Sequence, residues 1–313
     1  MVNVEADIAV GAALRRLAAA SGAVYTLADG DQPSLICSLV DWATSLGLEV
    51  VAGGNGSSLY PPQHPTRLAR EQDPTTSATS IAFLDGTKSQ IEMASAANVL
   101  GWGVDVRGLH HPSARLNDVA TLFGPRASGG LFHHTPVIDF VNCRSEDGMQ
   151  EIEAHLGHGV FVVITSRNGE ALRAMRSKGV PVSEDGSRAL LWRPFHLVGV
   201  ETPFSVAQGA LFGVATAAPR RDDSVEVFAL AKRDLPAGAT LDGMGGTAVR
   251  GEAELATVCV EQRLLPYGLA NAVRLCRPLA AGTAITYDDL KSWGDSPCWR
   301  PRAEADMLPS PSW

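Results

Sequence analysis

The sequence predicts an α/β protein, with part of a parallel sheet in the first half, an α+β region in the middle and a small β-rich module near the end. Three observations carry that reading. Helix and strand signals alternate between residues 2 and 60. The apolar, largely β-branched run Val160–Thr165 (VFVVIT) has the length and composition of a buried strand. One glycine-centred turn motif occurs twice beyond residue 230, in a stretch of short apolar runs.

Taken in order, Val2-Asn3-Val4 reads as a short strand, and residues 8–20 (IAVGAALRRLAAA), rich in alanine and leucine, read as a helix. Residues 23–27 form a short β-like run and residues 35–46 a helix. Residues 48–52 (LEVVA) read as a buried strand running into Gly53-Gly54-Asn55-Gly56. Residues 55–78 are polar and carry prolines, which is the composition of a long loop. Residues 83–99 read as a strand end, a turn and a helix, and Thr87-Lys88-Ser89-Gln90 has capping-box form with Thr87 as the N-cap. Residues 104–135 are rich in glycine, proline and histidine, with weak periodicity. After Val160–Thr165 come a helix at 170–176, a strand at 189–192 and a helix for which Pro194 suits the first position. The Pro/Arg stretch 218–223 resembles a linker. The chain thus divides into a βα segment (1–60), an α+β catalytic region (61–217), a β-rich module (218–292) and a loose tail (293–313).

Composition narrows the function classes. Hydrophobic residues make up 45% of the 313, enough to supply a core, and a charged fraction of 19% argues against disorder. The net charge of −8 disfavours nucleic acid and anionic membranes as main partners. No apolar run reaches the roughly 18 residues of a membrane span, and the N-terminus lacks the basic region of a secretory signal. Cys37, Cys143, Cys259, Cys276 and Cys298 are dispersed without a CxxC pair, which fits thiols in a reducing compartment. The expected location is the cytoplasm.

The repeated motif is Arg233-Asp234-Leu235-Pro236-Ala237-Gly238, matched by Arg277-Pro278-Leu279-Ala280-Ala281-Gly282, with Leu265-Pro266-Tyr267-Gly268 between them. Glycine tolerates the positive φ of tight turns between short strands, so two pseudo-symmetric hairpins are expected. The pattern is similar to a β-clip, or SAF, domain. Four further blocks run in order over nearly the whole chain: VNVEAD (2–7), GDQPSLICSLVDWA (30–43), FLDGTKSQIEMASAANVLG (83–101) and WRPFHLVGVE (192–201). With the repeats, they resemble the deoxyxylulose-phosphate-reductoisomerase-like, homoserine-dehydrogenase-related oxidoreductases that carry a C-terminal SAF domain.

That resemblance implies a Rossmann domain, a central catalytic domain and an SAF-like domain. It also implies NAD(P)H-dependent reduction or reductoisomerisation of a small hydroxy-carbonyl substrate. The sequence departs from this pattern at the nucleotide site. No G-x-G-x-x-G follows a strand, and Gly53-Gly54-Asn55-Gly56 stands where the family tends to have a Gly-Lys-Gly run. Residues 1–60 are therefore expected to be a residual Rossmann-like segment that binds no cofactor by itself. NAD(P) would enter only with a separate nucleotide-binding half. The alternatives are a cofactor-independent isomerase, lyase or cyclase, and a non-catalytic binding or scaffold protein. An unpaired strand edge at residues 2–4 would be covered by a homo-oligomer or a partner subunit.

The candidate site centres on Lys88. Glu92 lies at i+4 on the same helix face, and Asp85 stands just upstream, so the three could converge with Lys88 as proton donor or electrophilic clamp. The competing reading is an exposed helical ion pair. Arg193, at a helix start, would grip a carboxylate or phosphate with its planar fork. His196 would shuttle a proton or cap a carbonyl. Asp31 and Gln32 precede a helix, where Asp31 also suits an N-cap. Asn3 and Glu5 end the first expected strand, at the crevice edge where α/β folds bind ligands. The doublets His110-His111 and His133-His134 lack metal-ligand spacing and read as loop histidines, so no metal is expected.

Overall fold

A computed structural model describes residues 3–219, 223–292 and 297–305. The chain opens with helix α1 (Val4–Ser21), α2 (Gln32–Ser45) and strand β1 (Glu49–Ser57). Next come α3 (Pro65–Gln72), α4 (Ala78–Leu84), α5 (Thr87–Leu100) and the short α6 (Val119–Leu122). Then follow β2 (Val137–Asn142), β3 (Val160–Thr165), α7 (Gly169–Ser177), β4 (Arg188–Arg193) and α8 (Val198–Phe212). The last third holds β5 (Val225–Ala231), β6 (Thr240–Asp242), β7 (Val249–Leu255), α9 (Ala256–Glu261), β8 (Asn271–Leu275), β9 (Leu290–Ser292) and α10 (Trp299–Ala305). The fold is α/β. Among the described residues no helix is long and apolar enough to cross a membrane.

The main sheet has the order β2-β1-β3-β4. Only β1 and β2 are parallel; β3 runs antiparallel to both β1 and β4. The sheet is thus mixed, where a parallel one was expected. One face packs under α2 and α5 through Ile138, Phe140, Val160, Val162 and Ile164. The other face packs on Phe123 and Phe132 from the histidine-rich segment around α6.

Helix α5 is buried on nearly every side. It lies between the main sheet and the β5–β7 ribbon, which explains the run Ala94-Ser95-Ala96-Ala97: only small side chains let two layers approach one helix. Its polar side chains fasten it to that ribbon. Thr87 Oγ1 accepts from Gly251 N (3.0 Å), Gln90 Oε1 from Ala253 N (2.9 Å) and Asn98 Oδ1 from Val225 N (2.9 Å). The expected capping box therefore does not form: Gly86 is the N-cap, and the Asp85 carboxylate accepts from Thr87 N at 2.9 Å.

Residues 4–7 are helical, not a strand. The Asn3 side chain caps α1 by accepting from Ala6 N (2.9 Å), and Glu5 and Asp7 in the first turn suit the helix dipole. Val2 lies outside the described residues. Residues 3 and 4 therefore form no sheet edge that would call for self-association. Residues 23–27 form no strand, the 83–84 strand end is instead the last turn of α4, and part of the 55–78 loop is helix α3. The expected linker at 218–223 falls largely on residues 220–222, outside the described residues. Within the segment 293–313, residues 299–305 form α10, where Trp299 is buried and Arg302 pairs with Glu226.

The two sequence repeats meet symmetrically. Leu235 N donates to Leu279 O (2.8 Å) and Leu279 N to Leu235 O (2.9 Å). Gly238 N donates to Leu275 O (2.9 Å), while Gly282 N donates to Ala231 O (2.8 Å), so each turn bonds the residue four before the other repeat's leucine. Both glycines have φ near +80°.

Gly53, Gly54, Asn55 and Gly56 lie inside β1 rather than in a loop after it. A Cβ on Gly54 would lie 1.8 Å from Asp139 O of β2, and one on Gly56 2.0 Å from Gly157 O. These glycines are thus required by close backbone approach. Gly54→Ala is expected to cost at least the ~1–3 kcal/mol typical of overpacking. A denaturant midpoint unchanged from wild type would contradict that.

Candidate functional site

The C-terminal half of β1 points alternate side chains at α2 and α5. Gly53 leaves room for Ile36 of α2, Asn55 reaches into the gap between the helices, and Ser57 meets Ser89 of α5 (Oγ–Oγ 2.8 Å). Asn55 is 1% exposed; its amide donates to Gln32 Oε1 and, at 3.2 Å, to Glu92 Oε2. Its own Oδ1 has no protein partner. Asp31 caps the N-terminus of α2 by accepting from Gln32 N (2.9 Å).

Lys88 enters this corner from the first turn of α5. Its Nζ lies 2.5 Å from Glu5 Oε1 of α1 and 3.8 Å from Glu92 Oε1, and its side chain is 12% exposed. The exposed helical ion pair is therefore not what forms: Lys88 joins α5 to α1 at the edge of a buried site. Five of the expected site residues, Glu5, Asp31, Gln32, Lys88 and Glu92, come together here around Asn55. Asn55 escaped sequence reasoning because its glycine neighbours read as loop; its place between the family-pattern glycines was the available signal.

Charge balance sets the chemistry. Glu5, Asp31 and Glu92 present three carboxyls to the Lys88 ammonium. Glu92 is 2% exposed. Burial pushes its carboxyl up to about 8, with Asp31 and Glu5 adding to the rise and Lys88 opposing it. Burial also raises Asp31, against the pull of Lys88 and the Gln32 N–H. The corner thus holds a carboxylic acid beside an ammonium near neutral pH, a pairing suited to giving and taking protons.

The other expected residues lie elsewhere. Asp85 does not converge on Lys88; its carboxylate pairs with Lys232 (2.7 Å), which also reaches Glu71 (3.3 Å). Asn3 is spent on its cap. Arg193, the last residue of β4, pairs with Glu201 and sits over the Phe195 ring at 4.9 Å. The helix after it begins at Val198, so Arg193 is not at a helix start. His196 Nδ1 meets His158 O at 2.7 Å, and no contact ties it to Lys88 or Glu92.

The histidine doublets split. His110, His133 and His134 direct ring nitrogens at Asp105 (2.8, 3.0 and 3.2 Å), while His111 stacks on Phe140. Burial alone would raise Asp105, but hydrogen bonds from His110, His133 and the His133 and His134 amides hold it down at about 2. Among the described residues no group of three His, Cys, Asp or Glu is arranged to hold a metal ion.

A search of the curated proteins finds no match. Residues 30–202, more than half of the chain and the span that contains Asp31, Gln32, Asn55, Lys88 and Glu92, match the model of the family described as Oxidoreductase DRL, catalytic domain, and the chain belongs to that family.

Proposed function

We propose that the chain is a small-molecule enzyme that moves protons on a hydroxy-carbonyl metabolite at the Lys88–Glu92 corner. The observation that carries this reading is the buried Glu92 carboxyl, held protonated toward pH 8, within 3.8 Å of the Lys88 ammonium. Lys88 polarises the carbonyl oxygen as negative charge builds on it. Glu92 supplies or receives the proton that moves between neighbouring carbons, and Asp31 takes the complementary role. The Asn55 and Gln32 amides orient the substrate hydroxyls. The reductoisomerase-like and SAF-like assignments belong to this reading. The second is supported by the reciprocal Leu235–Leu279 pairing between the two repeats.

A dinucleotide does not fit the one glycine-rich run of the expected region. Gly54 and Gly56 are closed over by Asp139 O and Gly157 O, so their backbone cannot meet a pyrophosphate. Any hydride step would use NAD(P) held by a separate nucleotide-binding half, and the residues of the Lys88–Glu92 corner supply proton transfer alone.

The test uses a panel of small hydroxy-carbonyl acids and phosphates in D2O without nucleotide, followed by proton NMR. Deuterium should enter the carbon next to the carbonyl of one panel class, and added NADPH should leave the rate unchanged. Exchange that appears only with NADPH, or micromolar NADPH affinity of the chain, would contradict the reading.

A further inference from the structure

We infer that Lys232 is a positioning residue for Lys88, an assignment that rests on the proton-transfer reading of the Lys88–Glu92 corner. Lys232 holds Asp85, and Asp85 holds the start of α5. Lys88 stands in the first turn of that helix, where the helix dipole repels a cation. The N-cap, Gly86, has a φ of +85° and no side chain with which to cap. The first turn therefore depends on the Asp85 carboxylate, whose Oδ1 accepts from Thr87 N at 2.9 Å. The other oxygen of Asp85 lies 2.7 Å from Nζ of Lys232, the residue directly after β5.

Lys232 is itself fixed from further sides. Its Nζ donates to Gly246 O (2.6 Å), between β6 and β7, and to Glu71 Oε1 of α3 (3.3 Å). Glu71 also pairs with Arg67 Nε at 3.0 Å, and Arg67 Nη1 donates to Tyr60 O at 3.1 Å. Charges thus alternate along Arg67, Glu71, Lys232 and Asp85, whose side chains are 5, 14, 5 and 0% exposed. Desolvation offsets much of the attraction within such a buried set, so registration of the joined elements fits it better than stability does. The internal repeat points the same way. Arg233 and Arg277 occupy equivalent places, so Lys232 corresponds to Cys276, which is exposed. The second repeat forms the same turn without a lysine; only the copy that meets Asp85 carries one.

The test is carbon-13 NMR titration of the Glu92 carboxyl in the full chain, with Lys232→Met and the double variant Asp85→Ala/Lys232→Met beside wild type. Glu92 faces Lys88, Asp31 and Glu5, and of these charged groups only Lys88 opposes the burial that lifts its midpoint. Once Lys88 is released from its place, the midpoint should rise by about one pH unit, the low end of what an adjacent opposite charge contributes. Lys232→Met should show that rise. If it does not fold, because Asp85 is left buried without its counterion, the double variant removes both charges together. The same rise is expected there, since Thr87 N has lost its acceptor. A role in stability alone would lower the melting temperature and leave the midpoint where it was. A wild-type midpoint near 8 that is unchanged in the folded variant would overturn the inference and leave the proposed function standing. Two variants that both fail to fold would also overturn it, because the pair would then hold the fold and not the lysine. An ordinary wild-type midpoint near 4.5 would remove the inference and the proposed function together.

Discussion

Replacing Lys88 by methionine is expected to slow deuterium exchange into the substrate by about 100-fold or more, the usual scale for losing a positioned acid or charge. The side chain is the ammonium set among Glu5, Asp31 and Glu92, 2.5 Å from the first and 3.8 Å from the last. Lys88→Arg should not restore the rate. Its planar fork cannot occupy the place of a compact ammonium, and it keeps its proton at every working pH. Stability should change in a pH-dependent way. The loss should be smaller where Glu92 keeps its proton, below about pH 8, and larger above it, where its carboxylate stands without the lysine that opposes its burial. Near-full exchange by Lys88→Met would mean that the lysine is a structural ion-pair partner and nothing more.

Glu92→Gln is expected to give the opposite pairing of effects: slower chemistry in a more stable protein. Exchange should fall by about 100-fold or more, because the amide cannot cycle a proton. Proton linkage sets the change in stability. In the folded chain the Glu92 carboxyl titrates near 8, against an ordinary value of 4.5. Between those values the unfolded chain has released the proton while the folded chain still holds it, so wild-type stability falls as pH rises through that window. Below pH 4.5 the group contributes no such penalty, and above about 8 the penalty is constant. Glutamine removes it. The unfolding free energy of Glu92→Gln relative to wild type, from denaturant titration, should therefore climb from about pH 4.5 to about pH 8 and then level off, with a plateau on the order of a few kcal/mol. A difference independent of pH would show that Glu92 is ionised throughout.

Much of the fold was legible wherever one local signal dominated. The apolar run Val160–Thr165 is β3 to the residue, and alanine-rich α1 and the apolar stretch of α2 form as their composition suggests. Misreadings arose where two signals competed. Residues 2–4 have the β-branched look of a strand, but Asn3 followed by Glu5 and Asp7 is a helix-start pattern, and capping won. Strand β2 is broken in sequence by Asp139 and Asn142, whose polar side chains serve backbone amides of neighbouring loops, so its apolar character is diluted.

The candidate site was legible only in its local part. Lys88 and Glu92 share a helix face by spacing alone. Glu5 reaches Lys88 across eighty-three positions, and Asn55 reaches both Gln32 and Glu92, contacts that depend on how α1, α2 and β1 stack. Asp85 misled for the same reason: three residues from Lys88 in sequence, it turns to Lys232 in the β5–β7 region instead. Local pattern places residues on elements, but only packing decides which elements share a corner.

Everything proposed for the corner depends on Glu92 being a protonated acid near neutral pH beside Lys88. Carbon-13 NMR titration of glutamate carboxyl signals, with Glu92→Gln to assign the resonance, tests it directly. One carboxyl midpoint near pH 8 is expected in wild type and should be missing from the variant; a Glu92 midpoint in the ordinary range near 4.5 would contradict it.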